Sequence, residues 1–132
     1  DYPVTVKTGH SISEVVLAPT PVAPVGGGVP DVAVIASGDG LRKVRALLGR
    51  MTPDALVVTL PDLAALGTPA RVAVIDPGSA PGRIPKASLA LVLLTVAMIR
   101  RGVLSAAALR AAAAGPYADE NLAAIEVGLA LA

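Results

Sequence analysis

The stretch that decides the fold is DVAVIASGDGLRKVRALLGRMTPDALVVTL, residues 31–60. It opens with DVAVIAS, a continuous apolar run ended by Ser37-Gly38-Asp39-Gly40. A run without polar alternation fits a strand buried on both faces, as in a parallel sheet. GLRKVRALLGR, 40–50, follows with a different period. Leu41, Val44, Leu47 and Leu48 fall on one helical stripe, and Arg42, Lys43 and Arg45 lie largely outside it. Asp39 is placed to cap this helix and Gly49 to help end it. ALVVTL, 55–60, is then a second buried strand. Strand, helix, strand over thirty residues is the grammar of an α/β fold with a mainly parallel sheet.

Downstream, PDLAAL, 61–66, reads as one helical turn and RVAVID, 71–76, as a third strand. The final third is helical. KASLALVLLTVAMIRR, 86–101, is apolar nearly all round and is expected to be buried on most sides. Ser105 caps SAAALRAAAA, and Gly115-Pro116 stops it. Asp119 or Glu120 opens the last helix, where acids suit the helix dipole, and Leu122, Ile125 and Leu129 make its expected buried stripe. Upstream, PVTVK, 3–7, and SISEVVL, 11–17, read as two short strands broken at Gly9. Residues 18–30, with Pro19, Pro21, Pro24, Pro30 and Gly26-Gly27-Gly28, read as a connecting loop.

Composition bounds the function. At 132 residues the chain suits one domain. Hydrophobic residues make up 54% of it, yet there is no Phe or Trp, and the only aromatics are Tyr2 and Tyr117. The core is therefore packed from Val, Leu, Ile and Ala, small side chains that require elements to approach closely. Eleven Lys/Arg stand against ten Asp/Glu. With that balance and so few stacking platforms, nucleic-acid binding has little support. There is no cysteine, which excludes disulfides, thiolate-held zinc and an iron–sulfur cluster ligated by this chain. The longest charge-free apolar run, 87–99, is too short to span a bilayer, and no signal peptide is visible after Asp1.

Three places carry candidate chemistry. His10 is the only histidine, set between Gly9 and Ser11. A Ser–His–acid hydrolase needs a nucleophile within reach of the imidazole, but adjacent strand residues point to opposite faces. No second histidine offers a shared metal site. The bland reading is a loop or interface histidine. Among the glycines, Gly26-Gly27-Gly28 precedes a strand, whereas a phosphate cradle follows one. Ser37-Gly38-Asp39-Gly40 is in the right place but has only two of the glycines, and Asp39 would repel an anion. A tight turn plus helix cap explains it. The third is DPGSAPGRIPK, 76–86, between a strand and a helix. Ligands of open α/β sheets gather at the carboxyl ends of strands. Arg83 and Lys86 bring two positive charges there, with Ser79 and Ser88 as hydroxyls, candidates to hold a phosphate or a partner's carboxylate, against the alternative of a stiffened loop with solvated cations. None of the three assembles an independent active site.

The order of pieces carries a resemblance over essentially the whole chain. GHSISEVVLA, PDVAVIASGDGLRKV, PGRIPKASLALVLLTVAMIRRGVLSAAALRAA and ENLAAIEVGLALA together resemble the gamma subunit of 2-oxoacid:acceptor oxidoreductases of the ferredoxin type. It is most specific at Pro30-Asp31, at the turn Gly102-Val103-Leu104-Ser105 into an alanine-rich helix, and at the closing Asn121-Leu122 … Gly128 helix. The resemblance implies a Rossmann-like open sheet flanked by helices. It implies a cytoplasmic complex with thiamine-binding alpha and beta subunits and an iron–sulfur delta-type subunit. Thiamine diphosphate, Mg2+, iron–sulfur clusters and CoA are expected in the complex, with none bound by this chain alone. That complex decarboxylates a 2-oxoacid oxidatively to an acyl-CoA and passes electrons to ferredoxin or a similar acceptor, with this chain mainly architectural. The family's glycine-rich first strand–helix unit has no match here, so the chain is expected to be a fragment of a longer domain. Where the family often carries Arg-Gly-Gly, this chain has Lys7-Thr8-Gly9-His10-Ser11, and His10 and Ser11 are then expected in a turn or subunit contact. The alternative, from another class, is a stand-alone Rossmann-like nucleotide- or CoA-binding module.

Overall fold

The computed structural model describes Val4–Lys7, His10–Ser13 and residues 29–132. Strands β1 (Val4–Lys7) and β2 (His10–Ser13) form an antiparallel hairpin, with Val6 opposite Ser11 and Lys7 opposite His10. The expected strand extension over 14–17, and the loop over 18–28, lie outside the described residues. The remaining elements form a Rossmann-like α/β unit. Strands β3 (Val32–Ile35), β4 (Leu56–Thr59) and β5 (Arg71–Val74) make a parallel sheet in that order. Val34 stands opposite Val58, and Val58 opposite Ala73. Helix α1 (Gly38–Leu48) connects β3 to β4, and α2 (Leu89–Arg101), α3 (Ala106–Ala112) and α4 (Ala118–Leu131) follow the sheet.

The central strand explains the continuous apolar reading. All four residues of β4 are buried. Alternation sends Val57 into a cluster under α1 with Ile35, Leu41, Leu48 and Met51, while Leu56 and Val58 enter a second cluster under α2 with Leu93, Val96 and Ala97. Its one hydroxyl is satisfied, since Thr59 Oγ1 donates to the Ile35 carbonyl at 3.0 Å. That bond ties β4 to the residue opposite it on β3.

The β4–β5 connection contains no long helix. The expected turn over 61–66 is a single 3-10 turn, Pro61–Leu63. The chain then lies along α1. Leu66 and Ala70 join the α1-side core. Thr68 Oγ1 donates to the Leu48 carbonyl at 2.6 Å, and an Arg45 guanidinium N–H donates to the Ala65 carbonyl at 3.2 Å. The Leu48 bond adds a second donor to a helix-end carbonyl that Met51 N–H also reaches, at 3.2 Å. Nothing in this connection covers the α1-side face of β5, so Val72 and Val74 remain 39% and 47% exposed.

Two expectations about helices need correction. The N-cap of α1 is Ser37, whose Oγ accepts from Gly40 N–H at 3.0 Å, and Asp39 lies inside the first turn in an ion pair with Arg42. The buried stripe of α4 is Ala124, Ile125 and Gly128, with Leu122 exposed and Leu129 half-buried. The reason is contact with α2. A Cβ on Gly128 would stand 2.5 Å from Thr95 Cβ and 2.8 Å from the Val92 carbonyl oxygen. Only a glycine lets the helices cross that closely, and its small surface turns toward α2 in place of the leucines. Two boundaries shift, since α3 ends at Ala112, before Gly115-Pro116, and residues 86–88 form a 3-10 turn ahead of α2, while the expected Ser105 cap is present. Ser105 caps α3 by accepting from Ala108 N–H, and Gly102 ends α2 in the left-handed region at φ 72°. No helix among the described residues is long and apolar enough to cross a membrane.

Candidate functional site

Three parallel strands bring the segments that follow them to one edge of the sheet, the place where open α/β folds gather ligands. The segments are Ser37–Gly40 after β3, Leu60–Asp62 after β4 and Ile75–Ser79 after β5. Local hydrogen bonds account for most of their polar groups. Ser37 is spent on capping Gly40, where a Cβ would come 3.1 Å from its Oγ. Asp39 faces Arg42 across a solvent-exposed pair. Asp76 Oδ1 accepts from Gly78 N–H at 2.9 Å, and Ser79 Oγ donates to the Asp76 carbonyl at 2.7 Å, which together shape the 3-10 turn Pro77–Ser79. The Ser-Gly-Asp-Gly segment is thus a turn and helix cap.

Of the sequence candidates, Arg83 and Lys86 lie exposed on the loop leading to α2, Lys86 opening the 3-10 turn Lys86–Ser88. Among the described residues the ion pairs are Arg42–Asp39 and Arg110–Glu126, so neither cation of this loop is engaged in one. Ser79 lies on the same segment, but its hydroxyl proton points into its own turn. What the loop offers an anion is two solvated positive charges. His10 and Ser11 are in strand β2, so the backbone there is extended and not a turn. Among the described residues, no group of three or more His, Asp and Glu gathers as metal ligands, and no buried side-chain polar atom lacks a partner.

Electrostatic coupling concentrates elsewhere. Arg110 of α3 and Glu126 of α4 form a bidentate, exposed pair. The hydrogen bond from Arg110 holds the Glu126 carboxyl below its ordinary range, and the same bond raises the guanidinium further. Sequence reasoning missed a second grouping. Guanidinium N–H groups of Arg71 and Arg101 both donate to the Asp54 carbonyl, at the end of the sheet opposite the carboxyl edge. Arg71 opens β5 and Arg101 closes α2, so no local spacing relates them.

No protein-family model matches the chain, and no curated protein matches it either. Fold and site together define a Rossmann-like α/β unit with an exposed cationic loop at the carboxyl edge of its sheet.

Proposed function

We propose that this chain is a gamma-type accessory subunit of a 2-oxoacid:acceptor oxidoreductase. The complex oxidatively decarboxylates a 2-oxoacid to an acyl-CoA in the cytoplasm and hands the electrons to ferredoxin or a similar acceptor. The observation that carries this reading is the order of elements. The segments that carry the family resemblance coincide with β2, with β3–α1, with the loop 80–88 through α2 and α3, and with α4. The thiamine diphosphate, Mg2+ and clusters belong to the alpha, beta and delta-type subunits, since this chain has no cysteine to hold a cluster. Its own part is architectural, with Arg83 and Lys86 the residues to meet a CoA phosphate or a partner carboxylate. The test is a native pull-down of the tagged chain with mass spectrometry and a visible spectrum. A brown assembly containing thiamine-binding and iron–sulfur subunits is the expected result. A colourless chain recovered alone rejects the reading.

One observation favours a second reading. Among the described residues the cations of the 80–88 loop stand free of ion pairs at the carboxyl edge of the sheet, which also suits a stand-alone nucleotide- or CoA-binding module. Titration calorimetry of the purified chain with CoA separates the two. The module binds CoA alone and loses it on R83E/K86E, whereas the subunit binds only within its complex.

A further inference from the structure

The Asp54 carbonyl draws in two guanidiniums, Arg71 from the start of β5 and Arg101 from the end of α2. Both donor nitrogens lie within hydrogen-bond reach of one oxygen, so they stand no more than about 6 Å apart. Like charges held that close repel each other. Neither is neutralised by a neighbour. Among the described residues the ion pairs are Arg42–Asp39 and Arg110–Glu126. Even the carboxylate of Asp54, on the residue whose carbonyl is shared, pairs with neither. Nor does closing α2 occupy Arg101. The Gly102 and Val103 N–H groups already reach the Ile99 and Met98 carbonyls, at 3.1 and 3.0 Å. A guanidinium carries five N–H donors in a rigid fork. Each spends one on Asp54, and the rest stay open on an exposed Arg71 and a half-buried Arg101.

We propose that Arg71 and Arg101 bind a doubly charged phosphate group of a small molecule, a phosphate monoester or a diphosphate. The shared carbonyl fixes the two forks side by side, and the oxygens of one phosphate group bridge them with charge-assisted bonds. Charge decides the class of ligand. A phosphate monoester or diphosphate brings two negative charges to two positive ones. A carboxylate brings one, and Asp54 shows that a single carboxylate close by in the chain is not drawn in. The site stands at the amino end of the sheet, with Arg71 opening β5 and Arg101 closing α2. Arg83 and Lys86 follow β5 at the other end, so the proposal is independent of the accessory-subunit reading and of the CoA contact given to that loop.

Titration calorimetry of the full chain with inorganic pyrophosphate at low salt tests it, with circular dichroism as the check on folding. The wild type is expected to bind, and its affinity to fall as sodium chloride is added. R71Q and R101Q each keep an N–H donor for the Asp54 carbonyl but remove a charge, and each is expected to weaken binding about tenfold. Should either misfold, R71K and R101K keep the charge without the fork and are expected to show a smaller loss. D54N keeps the shared carbonyl and removes the carboxylate beside it. It is expected to tighten binding, which a merely structural tie between β5 and α2 does not predict. R83Q/K86Q is expected to bind as the wild type does. A wild-type chain that takes up no pyrophosphate overturns the proposal. So does binding that survives in a folded R71Q/R101Q, and so does binding that is lost in R83Q/K86Q, which assigns the anion to the carboxyl-edge loop.

Discussion

Gly128 shows how a core without large aromatics is held together at single positions. Its α-carbon sits where a methyl would strike Thr95 Cβ and the Val92 carbonyl oxygen. Alanine improves helix propensity by about 1 kcal/mol, but overpacking costs about 1–3 kcal/mol, and a backbone oxygen cannot turn aside as a rotamer can. Gly128→Ala is therefore expected to lower stability in urea denaturation, against the direction that propensity alone gives. Thr59 makes a complementary case. Thr59→Val keeps the shape but leaves the Ile35 carbonyl without its side-chain donor. It is expected to cost about 1 kcal/mol in the same assay. Neither role could be read in the sequence. A glycine near the end of an apolar helix and a threonine in an apolar strand are unremarkable until the facing residue is known.

Among the elements, α2 is the keystone. Leu93 is fully buried between the helix and the sheet, and Leu93→Ala is expected to cost about 2–5 kcal/mol by thermal or chemical melting. The link between α3 and α4 is of another kind. Glu126 has its folded pKa lowered by the Arg110 hydrogen bond, so the pair's contribution is present above the unfolded glutamate value of about 4.3 and is lost as pH falls through the folded value. Glu126→Gln is expected to remove that part of the acid-side slope of stability and leave stability at pH 7 little changed, because the pair is exposed and screened by salt. Elements of this length were largely legible. The apolar runs of β3 to β5, the stripe of α1, the all-round apolarity of α2 and the Ser105 cap all carry local signals. The face of α4 was not legible, because Leu122, Ile125 and Leu129 satisfy helical period as well as Ala124, Ile125 and Gly128 do. Only the close crossing with α2 chooses between them. The α1 cap was misplaced by two residues because Ser37 and Asp39 are both good capping types.

For the whole molecule, the sequence disclosed the α/β class and the parallel sheet but not which strand would lie at an open edge. Strand order depends on pairing between segments far apart, and the absence of a long helix between β4 and β5 becomes meaningful only once α1 and α2 have taken their faces. The candidate site was legible as a location, the loop holding Arg83 and Lys86. Its chemistry was less so, since the Ser79 proton is committed to Asp76 by a turn that spacing does not reveal. The helixless connection also bears on how the chain reaches this state. Leu56 pairs with Arg71 fifteen residues on (71 − 56), whereas Val32 pairs with Leu56 across twenty-four (56 − 32). The shorter loop costs less entropy to close, which favours β4–β5 as the earlier pairing. A bare valine edge is then present while the rest of the sheet is still assembling. Refolding yield should fall with protein concentration, and refolding dilute or with a chaperone should restore it.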